Sequence, residues 1–288
     1  MSAIPATAPA ALGRDLTLDP GRRKARIGLA ILGVLVVIAI LAPVLAPHDP
    51  DAIESGRVLR GLSLSHPFGS DALGRDVLSR VIFSFRVSLS VAVGSVVLAF
   101  VVGIPLGLIA GYRGGWVDSV IMRPVDMLLA LPALLLAIAL IAIVGPGTVI
   151  ALLAISVIYV PILARVIRSS TLVVTSQTFI EAARARGASS RRIVIRHVLP
   201  NAIGPAIVQA SVLMGFALQI EAALSFLGLG AQPPTPSLGV MLADGRDVLT
   251  QAPWVEIFPG LAIAITVFAF NLIGDGLRER LDPRGVTR

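Results

Sequence analysis

From Met127 to Ala164 the chain runs 38 residues without a charged side chain. As one helix, at 1.5 Å per residue, that run would be about 57 Å long. The hydrocarbon core of a bilayer is only about 30 Å thick and is crossed by about 20 apolar residues. Gly145-Pro146-Gly147 interrupts the run near its middle, and Gly/Pro clusters are the strongest local punctuation a chain has. The run therefore predicts a tight hairpin of two membrane spans, near 120–144 and 148–168.

Four more apolar runs complete the set. Residues 27–46 give a first span and 87–112 a second; 201–229 give a fifth and 257–274 a sixth. The composition agrees: 56% of residues are hydrophobic and 14% charged, against about 25% charged in soluble domains. A disordered chain, a disulfide scaffold and a soluble enzyme are excluded. The fold class is all-α, a polytopic membrane protein with six transmembrane helices. The first run is long and lacks a small-residue cleavage site close behind it, so it reads as a span and not as a cleaved signal.

Polar chemistry is sparse. There is no cysteine, and His48, His66 and His197 have no metal-ligand spacing, so neither a thiolate nucleophile nor a metal site is expected. The only lysine, Lys24, lies in a basic cluster and not behind the Gly-rich turn of a phosphate loop. The chain thus binds no cofactor of its own, and any ATP-driven work must use an ATPase elsewhere.

Basic residues sort by side. With six spans, 18 of the 24 fall on the side of the termini and of the 169–200 loop, and six on the other. The positive-inside bias places the termini in the cytoplasm and removes the net charge of +7 as a nucleic-acid signal. The partition is a tail over 1–26, a first span over 27–46, an external segment over 47–86, a five-helix core over 87–275 and a tail over 276–288.

Two loops look organised. On the cytoplasmic side, Thr178-Phe179-Ile180-Glu181-Ala182-Ala183-Arg184-Ala185-Arg186-Gly187 reads as a short helix closed by a glycine turn. A second helix follows, begun by Ser189 or Ser190 and ended by Pro200. The small apolar surface rimmed by Glu181, Arg184 and Arg186 fits either a docking knob for a partner protein or an amphipathic segment on lipid headgroups. On the external side, residues 66–86 carry polar side chains at 75, 76, 79, 80 and 86 among apolar ones. That period fits a helix lying in the outer interface, with Ser70 or Asp71 as its N-cap, or part of a vestibule that receives substrate.

The spacing Glu181-Ala182-Ala183, Gly187, then His197-Val198-Leu199-Pro200 resembles the EAA loop of ABC importer permeases. Three further stretches extend the resemblance: Arg123-Pro124-Val125-Asp126, Glu221-Ala222-Ala223-Leu224-Ser225-Phe226-Leu227-Gly228, and Asn271 through Arg278. They are similar to the dipeptide, oligopeptide and nickel permease family, second-permease type. The resemblance implies a type I importer-like permease fold in the bacterial inner membrane. It implies ATP and Mg used by two partner ATPase subunits, a homologous second permease and an extracytoplasmic substrate-binding protein. It also implies that Glu181, Ala182, Ala183, Arg184, Gly187, Ala188, Leu199 and Pro200 form the ATPase-coupling loop.

Ionisable residues within spans are functional candidates by default. Asp126 reads as a structural pair with Arg123 or with a helix of the partner subunit, and Asp275 as a headgroup-level charge near Arg278. Glu221 either snorkels outward or lines the path; with Asp71, Arg75, Asp76, Arg80 and Arg86 it makes the candidate vestibule set. The leading function is the permease subunit of an ATP-driven peptide importer. The alternatives are an ion- or proton-coupled secondary transporter using Asp126 and Glu221, for which no internal repeat is evident, and an intramembrane aspartyl protease using Asp126 and Asp275.

Overall fold

The glycine–proline break near the middle of the long uncharged run forms a turn. In a computed structural model that describes residues 20–281, Gly145 and Gly147 both have positive φ there. The turn joins α5 (Ala133–Val144) to α6 (Thr148–Thr175). The tails expected over 1–26 and 276–288 lie partly outside the described residues. The described parts, 20–26 and 276–281, are helical, at the start of α1 (Pro20–Ile40) and the end of α11 (Trp254–Leu281).

Four helical stretches are individually long and apolar enough to cross a bilayer: Val77–Arg113 (α3), α6, Ser190–Phe226 and α11. The last but one comprises α8 (Ser190–Ile193), a π turn and α9 (Leu199–Phe226). α4 (Gly115–Leu129) and α5, which meet at 95°, together have the length and apolarity of a fifth, broken span or of a re-entrant loop. The run at 27–46 is divided between α1 and the four-residue α2 (Ala42–Leu45). The first two turns of α1 also hold Arg22, Arg23, Lys24 and Arg26.

Two expectations need correction. There is no separate interfacial helix before the second span: α3 runs unbroken for 37 residues, about 56 Å. Its N-cap is Asp76, which accepts a hydrogen bond from the Ser79 amide at 2.8 Å, and not Ser70 or Asp71. Nor is the third span a straight helix, because it breaks at residues 130–132.

The helices pack through small residues. Gly103, Gly107 and Gly111, four apart on α3, let it lie directly on α6; a Cβ on Gly107 would sit 2.3 Å from the Ala164 carbonyl oxygen. Gly28 and Gly276 do the same between α1 and α11, where Lys24 also pairs with Glu279. Close backbone approach suits a bilayer, where lipid offers no hydrophobic drive for helix association.

The loops gather at two ends. At the basal end Arg184 lies over the Tyr112 ring, 5.7 Å from its centroid, placing α7 (Thr178–Ala185) under the end of α3. At the apical end the Gly147 amide donates to the Leu229 carbonyl at 3.3 Å. There, too, Trp254 Nε1 donates to the Ser70 carbonyl at 3.1 Å.

Candidate functional sites at the two ends

The basal site is built by helix capping. In α7, Ile180 and Ala183 are buried among Ile104, Leu108, Ile167, Ile193 and Val198, so the helix is fixed by its inner face. Glu181, Ala182 and Arg184 are left on the outer face. Beyond α7, Gly187 takes φ +80°. Its amide donates to the Arg184 carbonyl at 2.9 Å and the Ala188 amide to the Ala183 carbonyl at 3.2 Å, the paired bonds of a Schellman motif. No atom crowds Gly187, so glycine is required for conformation and not for space. Ser189 then caps α8, accepting from the Arg192 amide at 3.4 Å.

Pro200 does not end this helix. Val194–Val198 form a π turn in which the Leu199 amide reaches back to the Val194 carbonyl, and α9 begins with Pro200 in its first turn. The wider turn accommodates a residue with no amide hydrogen whose ring would otherwise press on the carbonyl four residues back. The loop is thereby continuous with a membrane helix. A cleft of about 370 Å³ between the two loop helices is lined by Ala183, Arg186, Gly187, Ala188, Arg192, Arg196 and His197. Among the described residues none of these arginines has an ion-pair partner. The cleft is an open positive surface. Arg184, by contrast, is engaged with Tyr112.

At the apical end most of the expected vestibule residues are locked into one another. Asp71 accepts from the Leu73 and Arg75 amides, each at 2.9 Å, and from Arg75 Nε at 2.6 Å. Arg75 also reaches Asp244 on α10 (Leu238–Arg246) at 3.0 Å. Arg80 is almost wholly buried and faces Asp51, Asp71 and Asp244 at 3.6–3.8 Å, while donating to the Pro50 carbonyl at 3.2 Å. Asp76 takes His66 Nδ1 at 2.8 Å on one oxygen and the Ser79 amide and hydroxyl on the other. Buried and mutually satisfied, Asp71, Arg75, Asp76 and Arg80 fasten the 48–76 segment onto α3 and α10. Only Arg86 is exposed, in a groove between α1 and α3 beside Phe85 and Leu89.

His48, His66 and Asp76 bring their ligand atoms within 4.8 Å of one another, a juxtaposition the sequence spacing did not reveal. The two rings stack at 4.3 Å and 17°, so their in-plane lone pairs run side by side and do not converge on one ion. Both Asp76 oxygens are already taken. His66 and Asp76 form a hydrogen-bonded clamp, on which the His48 ring stacks with its Nδ1 buried and without a hydrogen-bond partner.

Glu221 neither snorkels nor lines an open path. It is 1% exposed. One carboxylate oxygen accepts from the Ser225 hydroxyl at 2.8 Å, and the other is buried without a hydrogen-bond partner. Ser225 also accepts from the Ala231 amide at 3.1 Å. Gly239 at the start of α10 lies so close to Ala222 that a Cβ there would fall 2.2 Å from its carbonyl oxygen. Glu221→Gln should therefore assemble normally, since an amide keeps the Ser225 bond, whereas Glu221→Lys places a cation in a pocket with no acid. The Lys variant should lose about 3 kcal/mol or more, read as a lower unfolding temperature in detergent; equal melting of the two variants would contradict the assignment. Asp126 pairs with Arg165 at 2.5 Å, not with Arg123, and Asp118 makes a two-pronged pair with Arg168 at 2.5 Å.

Comparison with known proteins decides what this architecture belongs to. Residues 103–285 match the family described as the inner membrane component of binding-protein-dependent transport systems. The chain belongs to this family. Residues 22–61, which hold all but the first two residues of α1, match the N-terminal transmembrane domain of oligopeptide transport permease C. The permease is 45% identical over 262 residues to a dipeptide transport system permease protein of Alkalihalophilus pseudofirmus, covering 91% of this chain and 86% of that one. It is also 45% identical over 258 residues to a glutathione transport system permease protein of Pectobacterium atrosepticum, covering 89% and 85%. In fold it resembles an inward-facing MetNI methionine ABC transporter chain, with a TM-score of 0.57 at 23% identity over 73% of this chain and 97% of that one. The permease is thus a multi-pass membrane transport subunit and not a catalyst, and ATP hydrolysis lies with partner ATPases. The secondary-transporter alternative finds no support.

Proposed function

We propose that this permease forms one half of the translocation pathway of an ATP-driven importer of short peptides, working beside a homologous second permease and two ATPase subunits. An extracytoplasmic binding protein delivers the peptide to the apical end. The basal end, with both termini and the 169–200 loop, lies in the cytoplasm, as the excess of basic residues there favours. The peptide class rests on the dipeptide and glutathione transport named for the relatives.

One observation carries the coupling role. The outer face of α7 presents Glu181 and Ala182, and the turn at Gly187 leads through the π turn into a single stretch, Ser190–Phe226. A push on α7 and the loop by an ATPase would be carried along that stretch to Glu221 near its apical end. Arg186, Arg192 and Arg196 around the cleft suit acidic side chains on the ATPase.

The test is to separate insertion from coupling. Glu181→Lys reverses the exposed charge, and Gly187→Val forces a β-branched residue into a left-handed turn, at about 1–2 kcal/mol. Both variants should insert and accumulate normally yet lose binding-protein-stimulated ATP hydrolysis and peptide uptake in proteoliposomes. Undiminished stimulation in both would refute the coupling role.

A further inference from the structure

One buried carboxylate holds both ends of an apical loop. Asp76, the N-cap of α3, is 3% exposed. On one oxygen it accepts from His66 Nδ1 at 2.8 Å. On the other it accepts from the Ser79 hydroxyl, which itself accepts from the His48 amide at 3.1 Å. Residues 48–66 therefore leave from Asp76 and return to it. The two ends are not equally fastened. Just beyond His66 the chain is pinned by the Phe68–Phe258 stack and by Trp254 on the Ser70 carbonyl. Residues 49–58, next to His48, are mostly exposed, so the His48 end is the one free to lift.

Among the described residues no arginine or lysine pairs with Asp76; its charged neighbours are His66 and His48 alone. The helix end it caps supplies only a partial positive charge. His48 Nδ1 lies 3.9 Å from Asp76 Oδ2, buried and without a hydrogen-bond partner. The other charges of the region are engaged elsewhere. Asp49 accepts from the Asp51 amide, Asp51 faces Arg80 of α3, and Arg75 pairs with Asp71 and with Asp244 of α10. A carboxylate can only accept, so a proton on His48 Nδ1 makes the unsatisfied nitrogen a donor and supplies the charge that Asp76 lacks. Histidine changes charge between about pH 8 and about pH 5. A second proton, on His66, would set two like charges in rings stacked at 4.3 Å, so the pair takes up one.

We infer that His48, stacked on His66 over Asp76, is a proton-operated catch: acidification protonates His48, draws it onto Asp76 and locks the 48–66 loop against α3, and alkalinisation releases it. Asp76 favours the charged form of His48 in the closed loop only. The closed loop therefore binds the extra proton, and closure strengthens as pH falls and is lost as pH rises. One proton changes the ratio of open to closed loop by at most about tenfold per pH unit. The catch does not depend on what the permease transports. At the end proposed to face outward, it would make the loop answer to external pH.

The complete importer in lipid nanodiscs, where both faces are accessible, is treated with a broad-specificity protease between about pH 8 and about pH 6. Cleavage within residues 49–58 is divided by cleavage of a synthetic peptide of the same sequence, which cancels the protease's own pH dependence. Where opening and closing outpace cutting, this ratio reports the open population. It should fall about tenfold across the range, and by no more than about tenfold per unit. His48→Phe keeps a stacking ring that takes no proton, and its ratio should be flat. His48→Gln, whose amide can donate at every pH, should be flat as well and serves where the Phe variant does not assemble. A ratio in the parent that is flat, rises on acidification or falls more steeply than one proton allows overturns the inference. So does the parent's slope retained in either His48 variant.

Discussion

Gly107→Leu is expected to remove the folded permease from the membrane, not to slow transport by an assembled one. The Cβ that any substitution adds would lie 2.3 Å from the Ala164 carbonyl oxygen, 2.9 Å from Ile167 and 3.0 Å from the Arg168 amide nitrogen. Two of these are backbone atoms of α6, which no side-chain rotation can move aside. Gly103, with 3.0 Å to the Val160 carbonyl, and Gly111, with 2.9 Å to the Arg168 carbonyl, hold the same line. The helices must therefore separate along their length. Separation strips Ile167 from the basal cluster that seats Ile180 and Ala183, and disturbs the Arg168–Asp118 pair. Overpacking costs about 1–3 kcal/mol in a yielding core, and Gly107→Ala should already lose that much. Leu, with three further carbons and no space, should leave no stable product. Gly33→Ala is the control, because nothing lies within 4 Å of the added Cβ; its melting should be unchanged or slightly raised. Yield and detergent melting temperature give the readout, and a Gly107→Leu protein melting like the parent would refute close packing of α3 on α6.

What the sequence made legible divides by the range of the interactions. The apical turn at Gly145-Pro146-Gly147 and the left-handed Gly187 were readable because local backbone chemistry decides them. The N-cap of α8 was readable for the same reason to within one residue, Ser189 or Ser190, and Ser189 fills it. The unbroken α3 was not. Arg75-Asp76 just before it and Ser79-Arg80 in its first turn make a pattern that suits an interfacial surface, yet their partners include Asp244, more than 160 residues away. The same distance effect hid the pairing of Asp126 with Arg165, 39 residues on. Pro200 misled as a stop signal because proline is tolerated in membrane helices where neighbours and local π adjustments re-satisfy the backbone. Pro105, Pro161, Pro205 and Pro259 all lie inside helices here. The break at 130–132 had its own mark, Leu131-Pro132, but a run of uncharged residues records composition and not direction.

Arg80→Leu is expected to free the apical segment while leaving the basal end intact. The guanidinium is buried and serves three carboxylates, Asp51, Asp71 and Asp244, together with the Pro50 carbonyl. These partners come from the 48–76 segment and from α10, so one side chain on α3 holds both. Removing one member of a fully buried charge cluster costs about 3–5 kcal/mol; the cost here is smaller, because Asp51 and Asp244 are 43% and 38% exposed and Asp71 keeps Arg75. Arg75 alone would then face the buried Asp71 and the part-exposed Asp244, leaving negative charge in excess. The segment should relieve this by opening. Lys should not rescue, since its single ammonium cannot reproduce a planar fork reaching several acceptors. Limited proteolysis in right-side-out vesicles should cut Arg80→Leu within residues 49–65 much faster than the parent. Co-purification with the ATPase, which we propose docks at the basal loop, should persist. Arg86→Leu, removing an exposed arginine, should stay within about 0.5 kcal/mol of the parent. An Arg80→Leu cleavage pattern equal to that of Arg86→Leu would show that the cluster does not hold the segment, and the apical acids would return as candidates for contact with the arriving peptide.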